Sequence, residues 1–473
     1  MTDAIVHDLA MLLGPKGMVS ESDMLAFVSH YRGGVGRTPA VAQPRTLEEI
    51  RAVVRYCYAN DIRLVAQGAN TGLVGASAPD TSGGQVLLSL DRMNRIRSVS
   101  PEDRLAVVEA GVRLSALNSL CEPENLFCPI DLAADPTLGG MAATNTGGAR
   151  LIRYGGMREQ ILGLEYVMMD ADATIGGRLD GLRKNNCGPS IDQLLIGSGG
   201  ELAIITAMAV TLNHCPAKRV CALIELNCET IVPSLILRME HALGDTLTAC
   251  EGMSRDAMSA ALGHGPALNL PFPPNGVPVY ALLIEASTSR GDFDFQERTT
   301  DRLAGALEAC FGAGITNVSV GDGAAFWALR HRISDALRDE GQVIGHDVSM
   351  SRSRLPEFHE VMRAKLDSEW SFLRVCDFGH VADGGDHYNL VWPHSKGPDG
   401  DRTEVINAIR ECVYNTVVND FQGSFSAEHG LGPLNASAYQ RLVPASQRRV
   451  LGDLKQLFDP KSLLGHGVLN SRL

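Results

Sequence analysis

Two histidines and a glutamate in the second half of the chain have the types and spacing of a metal-binding set. The segment FGHVADGGDHYN predicts a strand ending at His380, a glycine turn, and a strand beginning at His387, while SAEHG later supplies Glu428 and His429. Two imidazoles and one carboxylate are a common ligand set for a divalent metal that keeps open positions for substrate, which would leave His429 as a candidate base. Singly, each histidine is better explained as an ordinary hydrogen-bonded residue. Four polar residues in two glycine-flanked, otherwise apolar segments favour a site.

Three glycine-rich segments in the first half have the composition of an anion cradle. They cover residues 68–73, 139–148 and 197–200, and each lies close to a predicted strand. Successive main-chain N–H groups in such turns can hold a pyrophosphate without a cationic side chain. One such loop is best explained as a tight turn, but three favour a dinucleotide. None has the Gly-x-Gly-x-x-Gly spacing of a classical NAD site.

The elements that must position these residues change in character near residue 215. Before it, a Thr46/Glu49 capping box opens a helix over 47–60, and short strands alternate with the glycine-rich loops. After it, strands are separated by amphipathic helices predicted over 231–242, 293–310, 325–338, 355–366 and 403–418. This pattern predicts an open α/β or α+β sheet with helices on one face.

Length and composition limit the remaining function classes. The chain has 473 residues, 45% of them apolar, and a formal net charge of −13, so it is a poor candidate for coating nucleic acid. No apolar run approaches the ~20 residues of a membrane span, and the acidic N-terminus does not resemble a signal or transit peptide. Eleven cysteines without a Cys-x-x-Cys pair indicate reduced thiols, so a cytoplasmic location is expected.

Ten motifs in order resemble one flavoprotein family. They are GANTGLVGAS, PIDL, GGMAATNTGG, RYG, LRKNN, QLLIGS, FWALRHRIS, GHVADGGDHYN, SAEHGLG, and FDP with GVLN. Together they resemble the FAD-linked D-2-hydroxy acid dehydrogenases, the branch of the vanillyl-alcohol oxidase and p-cresol methylhydroxylase fold that includes D-2-hydroxyglutarate dehydrogenase, D-lactate dehydrogenase and the glycolate oxidase flavin subunit. The motifs cover most of residues 40–210 and 320–470.

The resemblance implies an α+β fold with a two-subdomain FAD-binding domain of p-cresol methylhydroxylase type. This domain would span residues 1–215 and be completed by 425–473, with residues 216–424 forming an α+β cap of antiparallel sheet and helices on one face. FAD is expected to be noncovalent, because Asn70 stands where some relatives in the wider fold carry the attaching histidine. The implied FAD contacts are Gln67, Gly68, Ala69, Asn70, Thr71, Gly72, Leu73, Pro129, Asp131, Gly139, Gly140, Ala143, Thr144, Asn145, Gly147, Gly148, Ile204 and Asn470.

The resemblance also implies a metal-assisted oxidation. The family's metal ligands map onto His380, His387 and Glu428, with Zn2+ the usual ion and another divalent metal the alternative. Its substrate-contacting positions map onto Arg330, Ser334, Asn389 and His429. The metal would lower the pKa of the substrate hydroxyl, His429 would take the proton, and the C2 hydride would pass to flavin N5.

Several positions depart from the family pattern. Gly345 stands where D-2-hydroxyglutarate dehydrogenases typically carry a carboxylate-binding Lys, although His346, Arg332 or Arg352 could substitute. Further departures are Gln67, Gly199, Glu201, the Pro189-Ser190 pair and the Gly465-His466 pair, and several of them lie in the implied flavin shell.

The expected activity is oxidation of a D-2-hydroxy acid to the 2-oxo acid, with D-2-hydroxyglutarate the first choice. D-lactate, glycolate or a larger 2-hydroxy acid are alternatives within the family. A noncatalytic FAD-binding subunit of an oxidase complex and an oxygen-using alcohol oxidase are rival hypotheses. The expected electron acceptor is an electron-transfer flavoprotein, a quinone or a cytochrome, and a homodimer is left open.

Overall fold

The computed structural model describes residues 2–30, 34–268, 270, 276–308, 310–395, 397 and 401–470. Its helices are α1 Thr2–Leu13, α2 Leu25–Val28, α3 Leu47–Ala59, α4 Leu114–Cys121, α5 Leu138–Thr144, α6 Leu151–Tyr154, α7 Met157–Gln160, α8 Asp192–Leu195, α9 Val232–Leu243, α10 Arg255–Gly263, α11 Phe295–Glu308, α12 Ala324–Glu340, α13 Leu355–Glu369, α14 Thr403–Asn415, α15 Ala436–Leu442 and α16 Ala445–Phe458. Its strands are β1 Val41–Ala42, β2 Arg63–Gln67, β3 Gln85–Ser89, β4 Ile96–Ser100, β5 Leu105–Glu109, β6 Leu126–Phe127, β7 Ile161–Met168, β8 Ile175–Gly177, β9 Ala203–Thr211, β10 Asn213–His214, β11 Lys218–Leu226, β12 Leu247–Ser254, β13 Tyr280–Thr288, β14 Ile315–Gly321, β15 Gly341–Ser349, β16 Arg374–Val375, β17 Phe378–Gly379 and β18 Gly385–Pro393.

The chain divides into two compact units. The first unit comprises Met1–Gly147, Gly155–Cys215 and Glu428–Leu473, and the second comprises Gly148–Tyr154 and Pro216–Ala427. Among the described residues, no helix combines the length and the apolar character that a bilayer crossing demands.

The first unit contains two main sheets of different type. Strands β1, β3 and β2 form a parallel sheet in that order, and β4, β5, β9, β7 and β8 form an antiparallel one. Helix α3 begins where the sequence predicts, because the Thr46 side chain accepts the Glu49 amide at 3.2 Å. The Glu49 carboxylate accepts the amide of Arg45, one residue before the cap, so the capping contact is displaced from the expected one.

The second unit is built on one antiparallel sheet. Its strand order is β14-β11-β13-β12-β17-β18-β15, and the short β16 also pairs with β18. Alternate residues of β11 enter separate cores, with Ala222 and Ile224 on one side and Cys221 and Leu223 on the other. Helices α9, α11, α13 and α14 cover the first side, here called the four-helix face, and α10 and α12 cover the second, the two-helix face.

The mixture of antiparallel sheets and helices confirms the α+β class. The expectation that the helices of the second half lie on one face is wrong, because α10 and α12 pack on the opposite side of the sheet from the other four. Amphipathic periodicity shows that each helix has one buried side, but it does not show which face of the sheet that side covers.

Candidate active site

The three glycine-rich segments of the first unit lie against one another. The Gly199 amide donates to the Ala143 carbonyl at 2.7 Å, which joins the third segment to the second. A Cβ on Gly68 would overlap the hydroxyl of Thr137, so the first segment passes close to the start of α5. The fold therefore brings together the loops that the sequence predicts for one dinucleotide.

The first loop presents main-chain donors. The main-chain amides of 69–73 have no hydrogen-bond acceptor among the residues that the structure describes. The Gln67 side chain braces the loop instead of pointing its amide hydrogens outward, since it donates to the carbonyls of Phe27 at 2.8 Å and Ser77 at 2.7 Å. Asn70 adopts a left-handed conformation with φ 55°. Consecutive amides that meet no acceptor in the described part of the chain fit a pyrophosphate.

The segment after His429 is held by the same loops. Leu434 donates its amide to the Val74 carbonyl at 3.2 Å, and a Cβ on Gly199 would lie 2.9 Å from the Leu431 carbonyl oxygen. A Cβ on Gly430 would lie 3.8 Å from Thr144. The main chain directly after the predicted base therefore runs beside the predicted FAD segments within the first unit.

Two departures from the family pattern contact each other. The Glu201 carboxylate accepts the main-chain amides of His466 at 2.8 Å and Gly467 at 3.1 Å. The fully buried Lys455 ammonium donates to the Glu201 carbonyl at 2.6 Å and pairs with Asp459 at 2.7 Å. Burial raises the pKa of Glu201 although Lys455 opposes the rise. The Glu201 carboxylate therefore stabilises the main-chain turn that contains the Gly465-His466 pair.

Some predicted FAD contacts serve the fold itself. The Gly139 amide donates to the Ala110 carbonyl at 2.8 Å, and a Cβ there would lie 2.6 Å from the Ala110 Cβ, which indicates a packing role. The Ile204 side chain is fully buried in a core cluster. In contrast, the buried Asn470 Oδ1 has no hydrogen-bond partner among the described residues, as expected of an atom that meets a ligand. The individual FAD contacts stay predictions.

In the second unit, Glu251 links two predicted site residues on the two-helix face. One carboxylate oxygen lies 2.6 Å from His380 Nδ1, and the other accepts Arg330 Nε at 2.7 Å. The Arg330 guanidinium lies 4.4 Å from the centre of the Phe378 ring. Burial would raise the pKa of Glu251, but its attraction to His380 and Arg330 lowers it to about 2. The carboxylate is therefore ionised and holds both partners in place.

Glu251 is a residue that the sequence reasoning missed. It lies in the strand segment TACEGMS and is fully buried. In the sequence, the signal that could have identified it is a single glutamate among small and apolar residues. A buried carboxylate requires partners, but the sequence does not say which ones.

His380 and His387 lie side by side. Their ring centroids are 5.3 Å apart, with the ring planes at 80°. Because Glu251 engages Nδ1 of His380, Nε2 is the nitrogen that can bind a metal, in the arrangement by which carboxylates orient metal-binding imidazoles. His387 Nδ1 lies 3.8 Å from Asp347 across the β15–β18 pairing. This donor set fits a divalent transition metal.

Glu428 and His429 belong to the first unit, so their meeting with the two histidines stays a prediction. Ser334 lies one helical turn from Arg330 on α12 and is exposed, whereas Arg330 is buried. The substrate role of Ser334 also stays a prediction.

The strand register shows what lies opposite Gly345. Gly345 pairs with Asn389, so the residue that lacks a side chain lies beside a predicted substrate contact. His346 cannot replace the missing cation, because its side chain is on the four-helix face with Nδ1 3.0 Å from the Tyr388 carbonyl. Arg332 donates to the Pro266 carbonyl at 2.6 Å, and Arg352 to Glu240 at 2.8 Å. The suggested substitution therefore does not hold for His346, and both arginines are engaged elsewhere.

Comparisons with known proteins agree with the fold and the motifs. Residues 38–175 match the FAD binding domain family, and residues 217–469 match the C-terminal domain of FAD linked oxidases. The mitochondrial D-2-hydroxyglutarate dehydrogenase of Bos taurus is 33% identical over 91% of this chain and 76% of its own length. The D-2-hydroxyglutarate dehydrogenase of Stutzerimonas stutzeri strain A1501 is 29% identical over 99% of both chains.

The solved structures show the fold. Substrate-bound p-cresol methylhydroxylase superposes with a TM-score of 0.71 at 16% identity, covering 99% of this chain and 96% of that one. An alkyldihydroxyacetonephosphate synthase gives a TM-score of 0.70 at 14% identity, covering 98% and 84%. The predicted p-cresol methylhydroxylase-type fold is confirmed, and with the family matches it establishes that the chain belongs to the FAD-linked oxidases.

Proposed function

We propose that this chain is an FAD-dependent dehydrogenase that oxidises a D-2-hydroxy acid to the 2-oxo acid, with D-2-hydroxyglutarate as the first candidate. The Glu251 bridge is the observation that carries the proposal. The Glu251 side chain holds Arg330, which is suited to bind a substrate carboxylate, next to His380, which is suited to bind a metal. A 2-hydroxy acid presents a carboxylate and a hydroxyl on adjacent carbons, which such a pair matches.

His380, His387 and Glu428 would hold Zn2+ or another divalent ion, and the loops at 67–73 and 139–148 would hold FAD without a covalent bond. When bound, the metal supplies a Lewis acid for the substrate hydroxyl, and FAD supplies the hydride acceptor. Electrons would then leave to a carrier, namely an electron-transfer flavoprotein, a quinone or a cytochrome.

The chain's own side chains have separate tasks in this scheme. Arg330 binds the 2-hydroxy acid's carboxylate through its guanidinium fork, and stacking on Phe378 together with the Nε bond to Glu251 fixes the plane of that fork. Asn389 orients the substrate by hydrogen bonding. Its side chain is itself held in place, because it is largely buried and its amide donates to the His387 carbonyl at 2.9 Å. An imidazole nitrogen of His429 takes the hydroxyl proton.

A monocarboxylate such as D-lactate or glycolate is the second candidate. The Gly345–Asn389 pair favours it, because the strand carries no side chain at the position expected to bind a distal carboxylate. His346 points to the other face of the sheet and does not supply that charge.

The test is anaerobic reduction of the purified flavoprotein. We expect a yellow protein whose flavin absorbance is bleached by at least one acid in a panel of D-2-hydroxyglutarate, D-lactate and glycolate, but not by L-2-hydroxyglutarate or L-lactate. EDTA should abolish bleaching and Zn2+ should restore it. Bleaching by no member of the panel would contradict the proposal.

Two further measurements separate the rival functions. His429→Ala should remove substrate bleaching while flavin content stays unchanged, and unchanged bleaching would favour a noncatalytic subunit or another base. An alcohol oxidase of the same fold would produce peroxide rapidly in air and survive chelation. We expect slow peroxide formation and sensitivity to EDTA.

A further inference from the structure

A second cluster of ionisable side chains lies inside the second unit. His359 on α13 has Nδ1 2.9 Å from Glu229 and 3.8 Å from Asp377, and Nε2 3.0 Å from Asp386. The ring stacks on Tyr388 at 5.8 Å between centroids, with 21° between the planes. One imidazole is therefore surrounded by three carboxylates and held in a fixed orientation.

This cluster lies on the other face of the sheet from His380 and His387. Asp386 and His387 are consecutive on β18, and side chains alternate between faces along a strand. His387 contacts Phe378 in the core of the two-helix face, whereas His359 stacks on Tyr388 in the core of the four-helix face. The two groups are separate.

The cluster carries more negative charge than its own histidine can balance. Three carboxylates face one imidazole and one guanidinium, that of Arg363 at 3.7 Å from Glu229, so full ionisation still leaves a net charge of −1 in a site where His359, Asp377 and Asp386 are about 2% exposed. Asp377 Oδ2 and Asp386 Oδ1 are buried without a hydrogen-bond partner among the described residues. Unpartnered buried carboxylate oxygens are costly, and a cation removes that cost.

The pKa of Asp377 agrees with this excess. Burial raises it, the Asp386 and Glu229 carboxylates add to the rise, and His359 opposes them, with a result of about 6. The rise shows that the buried carboxylates repel one another, and a bound cation relieves that repulsion.

We propose that Glu229, His359 and Asp377 form a second divalent-metal site, suited to Zn2+. His359 Nδ1 lies 2.9 Å and 3.8 Å from the two carboxylate oxygens. These separations bracket the ~3.0–3.4 Å between neighbouring ligand atoms that are each about 2.1 Å from one ion. Asp386 on Nε2 then orients the imidazole, as carboxylates do behind metal-binding histidines. The Glu229 side chain, 16% exposed, offers a route for the ion.

The experiment counts the zinc ions bound to the purified flavoprotein. Protein is stripped with EDTA, reloaded with Zn2+, freed of loose metal by gel filtration, and measured by elemental analysis. We expect two zinc ions per chain in the wild type, one in His359→Gln, one in His380→Gln, and none in the double variant. The matched control is His264→Gln, which removes an exposed imidazole whose Nδ1 lies 2.6 Å from Asp339, and it should keep two.

Asp377→Asn guards against a folding defect in the histidine variant, because it keeps the shape of the side chain and removes only its charge. If circular dichroism shows His359→Gln unfolded, Asp377→Asn decides the question. We expect Asp377→Asn to lower the affinity for one of the two zinc ions by at least about tenfold, as measured by chelator competition.

A second site is refuted if folded His359→Gln and Asp377→Asn both bind as much zinc, as tightly, as the wild type. The cluster would then be a buried ion-pair network alone. A different result would contradict the metal site of the proposed function. That result is an unchanged zinc count in His380→Gln.

Discussion

The two units differ in the groups that their predicted sites use. In the first unit the predicted groups are main-chain amides at 69–73, in a loop held by hydrogen bonds from the buried Gln67 side chain. In the second unit they are the side chains of Arg330 and His380, which the ionised Glu251 carboxylate holds. A main-chain site depends on the shape of its loops and on the packing beneath them. A side-chain site depends on the charge balance among a few residues.

The largest expected effect is in the buried Lys455 network of the first unit. Lys455→Met should lower the free energy of unfolding by about 3–5 kcal/mol, because it leaves the Asp459 and Glu201 carboxylates buried without their cation. Urea denaturation with and without FAD measures the loss. Lys461→Met, which breaks an exposed pair with Asp61, is the matched control and should cost less than about 1 kcal/mol. Equal losses would show that the buried network does not support this unit.

Two glycines separate packing from ligand binding in the same unit. Gly139→Ala should cost about 1–3 kcal/mol of stability even without FAD, because its Cβ would press on the Ala110 Cβ and carbonyl. Gly72→Ala should leave apoprotein stability within about 0.5 kcal/mol, since its nearest neighbour would be the Ser77 hydroxyl at 3.8 Å, and should weaken FAD binding. Thermal melts and FAD titration of both variants check this. A stable Gly139→Ala apoprotein would contradict the packing role.

A substitution of Glu251 tests the charge balance around Arg330 and His380. Glu251→Gln should weaken zinc at the His380 site by about 10–100-fold, because an amide no longer fixes the imidazole or neutralises Arg330. Chelator competition measures the change in affinity.

Glu285→Gln is the matched control for that change. Glu285 is equally buried in the neighbouring strand and accepts Arg150 Nε at 2.9 Å and Trp327 Nε1 at 3.0 Å. This variant should lose stability but keep zinc affinity. If both variants lost zinc equally, the effect of Glu251 would be one of general stability.

The smallest expected effect concerns substrate choice. Gly345→Lys places a cation opposite Asn389 and should raise the kcat/KM ratio of D-2-hydroxyglutarate over D-lactate by about tenfold, the value of one partly solvated charged hydrogen bond. Gly345→Ala, which adds no charge, should leave the ratio unchanged. A ratio that does not move in the lysine variant would place the distal carboxylate elsewhere.

Much of the architecture could be predicted from local patterns. The Thr46 cap starts α3 where the sequence indicates, and the α+β class and the p-cresol methylhydroxylase-type fold are confirmed. The placement of α10 and α12 could not be predicted, because a helix with one apolar side satisfies its sequence on either face of a sheet. The close packing of Gly139 on Ala110 could not be predicted for a related reason, since glycine permits close packing and ligand approach alike.

The amino-acid sequence alone was sufficient to predict the classes of site in this chain. Glycine-rich loops, two histidines seven residues apart and the ordered motifs predicted a flavin site and metal-binding side chains before any contact was known. The contacts among distant residues became known from the folded chain. Glu251 meets His380 across 129 positions and Glu201 meets His466 across 265, because strand register and chain return create those contacts. Short-range sequence patterns describe neighbours along the chain, whereas charge pairing depends on distance in space.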